Sequence, residues 1–235
     1  MAGRVSFLLS DLVEEGIVMN AWSDEQLSEL GELLGSIRQV KVLQRACAGE
    51  MALISTFFGQ RGYEVFGMFG YRSNKHWGFL PAGWVDVMRA RYLNRYLAII
   101  RSLYHPDGTR IYLDVPPVSE PEESFFFRLE VIGIPRMSKV SEAAARVQTH
   151  VDMTRIGCAL KRYHLSEGMY PESLGDLAPD WIDSIPNEVA TGLPFLYRLE
   201  ADGSYRFWSR GLDRDDDLGN PVEKWNSDGD WIWGR

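Results

Sequence analysis

Residues 195–209 read F-L-Y-R-L-E-A-D-G-S-Y-R-F-W-S. Phe195, Tyr197 and Leu199 alternate with their neighbours, Asp202-Gly203 supplies a turn, and Tyr205 and Phe207 resume the alternation, so the stretch predicts a β-hairpin. A period of two places one face of each strand on a core, and a lone hairpin cannot bury that face by itself. The partner is expected just upstream. From residue 138 to about 167, Val140, Ala144, Val147, Val151, Ile156, Ala159, Leu160 and Tyr163 recur at helical spacing, with Ser138 or Ser141 as cap and Gly168 as the C-terminal stop. Pro171 sits where the first residue of a short helix over 172–177 would be. The fold class this predicts is α+β: an N-terminal helical region, then a long C-terminal helix packed on a small antiparallel sheet.

Working back toward the start, residues 4–20 predict an amphipathic helix carrying Val5, Leu8, Leu9, Leu12 and Val13. Ser23-Asp24-Glu25-Gln26 has the form of a capping box, and Leu27, Leu30, Leu34 and Ile37 follow at helical intervals, with Leu33 and Val40 widening the stripe. Residues 49–83 break into glycines and aromatics, and Gly67-Met68-Phe69-Gly70 lacks the order of a nucleotide loop. Helix returns over 84–104 on Trp84, Val87, Met88, Tyr92, Tyr96, Ile99, Ile100 and Leu103, with Arg89, Arg91 and Arg95 snorkelling from it. A proline-rich connection at 115–121 leads to an apolar run at 125–134, expected as a buried strand or short helix. Two regions result: 1–137, mainly helical, and 138–235, a C-terminal module.

The chain's 235 residues suffice for one large domain or two small ones, and 45% hydrophobic with 25% charged residues describes a folded chain. A net charge of -8 and a pI near 5.1 argue against nucleic acid or anionic lipid as partner. Cys47 and Cys158 lack C-x-x-C spacing and are expected as buried free thiols, with a disulfide as the alternative. The apolar run near the start is interrupted by Asp11 and is too short to span a bilayer. As written the chain is expected to be soluble, and periplasmic or membrane-associated if the intact protein carries an anchor upstream.

The hairpin leads into S-R-G-L-D-R-D-D-D-L-G-N-P-V-E-K-W-N-S-D-G-D-W-I-W at 209–233. Carboxylates this crowded repel one another unless a cation or hydrogen-bond donors neutralise them, and calcium prefers such oxygens. The tail is either a calcium loop or a solvated acidic end. An EF-hand is excluded, because counting from Asp213 puts Leu218 at its glycine position and Lys224 at its glutamate position.

The ordered set Leu160 to Tyr163, Y-P-E-S-L at 170–174, T-G-L-P-F-L-Y at 191–197, F-W-S-R-G-L-D at 207–213 and G-D-W at 229–231 resembles the C-terminal half of the major pseudopilin of bacterial type II secretion systems, over roughly 138–233. The resemblance implies a loop that holds calcium through aspartates and backbone oxygens, in a subunit of a periplasmic filament. It makes Asp213, Asp216, Asp217 and Asp230 the expected side-chain ligands, with Ser209 or carbonyls completing the shell. This chain departs from that family in two places. Its long helix carries Arg146, Asp152 and Arg155 where pseudopilins have an apolar anchor, and Asn187-Glu188-Val189 replaces the usual aspartate-proline before the T-G turn. The whole chain, through R-V-x-x-x-V-D-M-T-R-I-G-C-A-L-K-R-Y at 146–163 and W-S-D-E-Q-L at 22–27, also resembles large uncharacterised proteins of Planctomycetes and Verrucomicrobia with no established activity.

For an enzyme the signals are poor. His76, His105, His150 and His164 show no paired metal spacing and are expected at the surface or as caps, and no nucleophile motif is present. No catalytic residue is assigned. Three classes stand side by side: a structural or assembly protein with a protein partner and a calcium-stabilised module; a small-ligand-binding module using residues 49–83; and a hydrolase, with Glu50, Glu64 or the Glu120, Glu122 and Glu123 group as its only carboxylate candidates.

Overall fold

The structure is a computed structural model that describes residues 2–60, 82–114, 137–220 and 229–233. Among these are the helices α1 (Ala2–Val18), α2 (Asp24–Ser36), α3 (Gln39–Gln60), α4 (Ala82–Arg101) and α5 (Met137–Glu167), a 3-10 turn (Leu174–Leu177), and the strands β1 (Leu196–Leu199), β2 (Tyr205–Ser209) and β3 (Trp231–Ile232). The fold class is α+β. The apolar run at 125–134 and the aromatic residues at 61–81 lie outside the described residues. No described helix is long and apolar enough to cross a membrane.

Two compact units divide the chain. One takes Met1–Gln39, Thr109–Ile111 and Glu142–Arg235, the other Val40–Gly108 and Tyr112–Ser141. The expected boundary at 137/138 divides the chain differently. The physical reason is that α1 and α2 give Val13, Ile17, Leu27 and Leu34 to the same core as Leu160, Phe207 and Trp231 of the C-terminal half.

In the first unit the hairpin forms with Tyr197 opposite Phe207 and Leu199 opposite Tyr205, and β3 then pairs with β2, Ser209 opposite Trp231, to give the antiparallel order β1-β2-β3. The Trp233 N–H adds one more bond, 3.0 Å to the Phe207 carbonyl. Phe207 is fully buried and meets Phe195 edge-on at 5.8 Å between centroids. Gly157 of α5 lets the sheet approach the helix, since a Cβ there would lie 2.3 Å from the Trp233 indole.

Helix α5 is buried through residues 148–154 without interruption, which a single apolar stripe does not predict. Polar residues therefore enter the core, and each needs a partner. Gln148 accepts from the Gln39 N–H at 2.7 Å and donates to Asp152 at 3.1 Å; the Thr154 hydroxyl donates to the His150 carbonyl at 2.8 Å. Burial pushes the Asp152 carboxyl up to about 6. The same crowding corrects the expectation for His150, which is 2% exposed rather than a surface residue. Val140, placed on the buried stripe, is 39% exposed.

Helix α1 turns only part of the expected stripe inward. Val13 is buried together with Ile17, and Leu9 packs against the core, whereas Leu8 and Leu12 are each 62% exposed. In α2 the capping box forms as read, with Gln26 N–H donating to Ser23 Oγ at 3.3 Å and Ser23 N–H donating to Gln26 Oε1 at 3.0 Å. Leu27 and Leu34 are fully buried, and Leu33 faces out. The short helix expected over 172–177 is a single 3-10 turn that starts later, capped by Ser173 and Asp176. Pro171 instead offers its carbonyl to the Tyr197 hydroxyl of β1 at 2.7 Å.

The second unit has its own apolar core of Val40, Leu43 and Cys47 from α3 and Tyr92, Tyr96, Ile99, Ile100 and Leu103 from α4 and the turn after it. Tyr96 donates its hydroxyl to Glu50 and stacks on Tyr92 at 6.1 Å. Residues 49–60, the start of the aromatic stretch, form the end of α3. Both cysteines are free and buried, and burial raises both thiols, Cys158 to about 12, which keeps them protonated and inert.

Candidate functional site

The acidic loop begins where β2 ends. Ser209 is 2% exposed and accepts the Gly211 N–H at 3.3 Å. Gly211 has φ +69°, and a side chain there would meet the Gly229 carbonyl at 2.3 Å, so the position suits glycine both in conformation and in space. This close approach brings the two ends of the loop together.

Two aspartates then lock the loop across itself. Asp213 accepts the Gly229 N–H through Oδ2 and the Asp215 N–H, at 3.3 Å, through Oδ1. Asp230 accepts the Gly219 N–H through Oδ2 at 2.8 Å. Asp216 reaches back to the sheet, taking the Trp208 indole N–H at 3.1 Å and the Leu218 N–H at 2.9 Å. Leu218 and Gly219 both sit in the left-handed region, at φ +59° and +72°, and so turn the chain back toward Asp230.

Asp230 has the most demanding surroundings of the expected ligands. It is fully buried, and among the described residues its Oδ1 has no hydrogen-bond partner. Burial, followed by the charges of Asp216 and Asp217, pushes its carboxyl up to about 6, against the pull of the Gly219 N–H. A buried, half-satisfied carboxylate beside two more is a site short of positive charge.

The structure brings some of the expected ligands together and leaves others apart. Asp216 and Asp217 are electrostatic neighbours of Asp230, whereas Asp213 spends both oxygens on backbone N–H groups and Ser209 turns its oxygen to Gly211. Among the described residues the carboxylates at 213, 216, 217 and 230 do not place three side-chain oxygens within 4.8 Å of one another; Asp11, Glu14 and His150 do place one ligand atom each within that span. Asp228 lies outside the described residues.

Just before β1, Glu188 organises the T-G turn. It is 1% exposed, accepts the Thr191 hydroxyl at 2.9 Å, and takes the Arg210 guanidinium at 2.9 Å and the Arg210 N–H at 3.3 Å. Burial raises its carboxyl above the usual range, with Thr191 and Arg210 pulling the other way. Glu188 thus ties the turn to the first residue after β2. A glutamate followed three residues later by threonine, with an arginine entering the tail, was the available signal for this pair.

The first unit also holds a cleft of about 500 Å³ between α2, α5 and residues 179–183, with Gly31, Gly35, Arg155, Arg162 and Trp181 in its wall. Arg162 is committed to Asp24 at 2.9 Å and to the Trp181 carbonyl at 3.2 Å, and stacks over the Trp181 ring. Of the ligand site expected in residues 49–83, residues 49–60 belong to α3, 82 and 83 open α4, and 61–81 lie outside the described residues. Comparison with protein-family models, with curated proteins and with solved structures finds no match to this chain.

Proposed function

We propose that this chain is a non-enzymatic structural or assembly protein that works through a protein partner, and that its C-terminal module is pseudopilin-like and stabilised by calcium. The observation that carries the calcium reading is Asp230: a fully buried carboxylate whose Oδ1 has no partner among the described residues, beside Asp216 and Asp217, in a loop closed by carboxylate-to-backbone bonds. Calcium accepts carboxylate and carbonyl oxygens in flexible geometry, so the Asp216 and Asp217 side chains and loop carbonyls would complete a shell started by Asp230. The pseudopilin likeness draws support from the order of elements, in which a long helix, a short turn, the T-G bend and the hairpin precede the acidic loop.

The test is thermal unfolding of the full chain in millimolar calcium and in excess chelator. A cation bound only by the folded state stabilises it by RT ln(1 + [L]/Kd). The melting temperature is expected to rise in calcium and fall in chelator; identical curves in both would end the calcium reading. Magnesium, which demands tighter octahedral geometry, is expected to give a smaller shift.

A further inference from the structure

A second polar cluster lies where α1 meets α5. His150 Nε2 is 2.9 Å from Asp11 Oδ1. Glu14 follows Asp11 by three residues, a spacing that makes helix side chains neighbours, and one ligand atom each from Asp11, Glu14 and His150 lies within 4.8 Å of the others. The imidazole is 2% exposed, whereas the Asp11 side chain is 52% exposed. An ion therefore has an entry path from solvent and a fixed nitrogen at the inner wall.

We propose that Asp11, Glu14 and His150 form a binding site for a first-row divalent transition cation such as zinc, which clasps α1 to α5. The donor set selects the class of ion. One imidazole nitrogen with two carboxylates suits zinc and its neighbours, whereas calcium and magnesium take oxygen almost exclusively. Two carboxylates match the charge of the ion. Bonds of about 2.0–2.2 Å to zinc hold ligand atoms roughly 3.3 Å apart in a tetrahedron. The His150 to Asp11 contact opens slightly to accept the ion, and the wider separations close by rotation of the two carboxylate side chains.

One further feature fits. Ser10, one turn before Glu14 on the same side of α1, is fully buried, and among the described residues its hydroxyl has no hydrogen-bond partner. A water in the fourth zinc position is the kind of group that would satisfy it. The site is independent of calcium in the acidic loop.

The experiment uses the full chain, stripped of metal with chelator and dialysed into millimolar calcium so that the acidic loop does not compete. Zinc is titrated by calorimetry, and cobalt(II) serves as a visible-absorption probe of a low-symmetry nitrogen and oxygen site. One equivalent of zinc is expected to bind, with cobalt bands that zinc abolishes. Asp11→Asn and Glu14→Gln, on the side chains nearer solvent, are each expected to weaken zinc at least about tenfold, and Glu29→Gln on α2 to leave it unchanged. Circular dichroism melts establish that the variants are folded, which keeps the test decisive even where His150→Gln fails to fold. Absence of zinc binding in the wild type, or affinity unchanged in both Asp11→Asn and Glu14→Gln, would reduce the cluster to an ion pair and overturn the proposal.

Discussion

The sheet-and-helix core and the acidic loop are adjacent in sequence, yet opposite forces hold them. Phe207, Trp231 and Trp233 close the core against Ile156, Gly157 and Leu160 by apolar contact and one ring edge on another. The described part of the loop is held by carboxylates accepting backbone N–H groups. The first arrangement is indifferent to ions. The second gathers like charges, whose repulsion a bound cation would relieve.

The largest expected effect breaks the first side of that comparison. Phe207→Ala empties a fully buried site under three strands and is expected to cost about 3–5 kcal/mol. The loss, read by denaturant unfolding, should be equal in calcium and in chelator. A loss that shrinks in calcium would mean that core and loop are not separable.

Next in size is the ion pair between the T-G turn and the loop. Glu188→Ala leaves the Arg210 guanidinium with the Pro194 carbonyl at 3.0 Å as a remaining partner and strands the Thr191 hydroxyl, so about 3 kcal/mol is expected, the lower end for breaking a buried pair. Glu188→Gln keeps an acceptor for Arg210 and should cost less than half as much at pH 7. Its pH dependence carries the sign. Burial raises the Glu188 pKa, so the native state keeps its proton longer than the unfolded chain does, and stability falls as pH rises from about 4.5 through the native value. The glutamine variant should lose that fall; an unchanged slope would show that Glu188 titrates normally.

How far these features can be read from sequence follows from their range. The hairpin, the Ser23 capping box and the long helix are local, and a period or a cap announces each of them. Strand β3 is two residues long, too short to carry a period, and only its pairing with Trp208 and Ser209 defines it. The α5 stripe misleads because residues 148–154 are buried on every side, and a helix enclosed all round admits His150 and Asp152 to the core if they find partners. For the same reason Asp11 and His150, 139 residues apart, cannot be linked by spacing. The unit boundary failed to show because α1 and α2 reach across the whole second unit in sequence to join the C-terminal core.

The smallest expected effect sharpens the second side of the comparison, because its sign should reverse with conditions. Asp230→Asn keeps an oxygen for the Gly219 N–H and puts an amide where an unpartnered carboxylate oxygen stood, beside Asp216 and Asp217. In chelator the substitution removes a buried like charge and should raise stability by about 1 kcal/mol. In calcium it removes the innermost anionic oxygen offered to the cation, so the variant should fall below the wild type and respond to calcium weakly or not at all. The curves for wild type and variant, melting temperature against calcium concentration, should therefore cross. If the variant is the more stable at every concentration, Asp230 is only a buried charge, and the loop is an acidic end held by its own backbone. If it is the less stable at every concentration, the carboxylate is needed for the Gly219 bond itself and the like-charge argument fails.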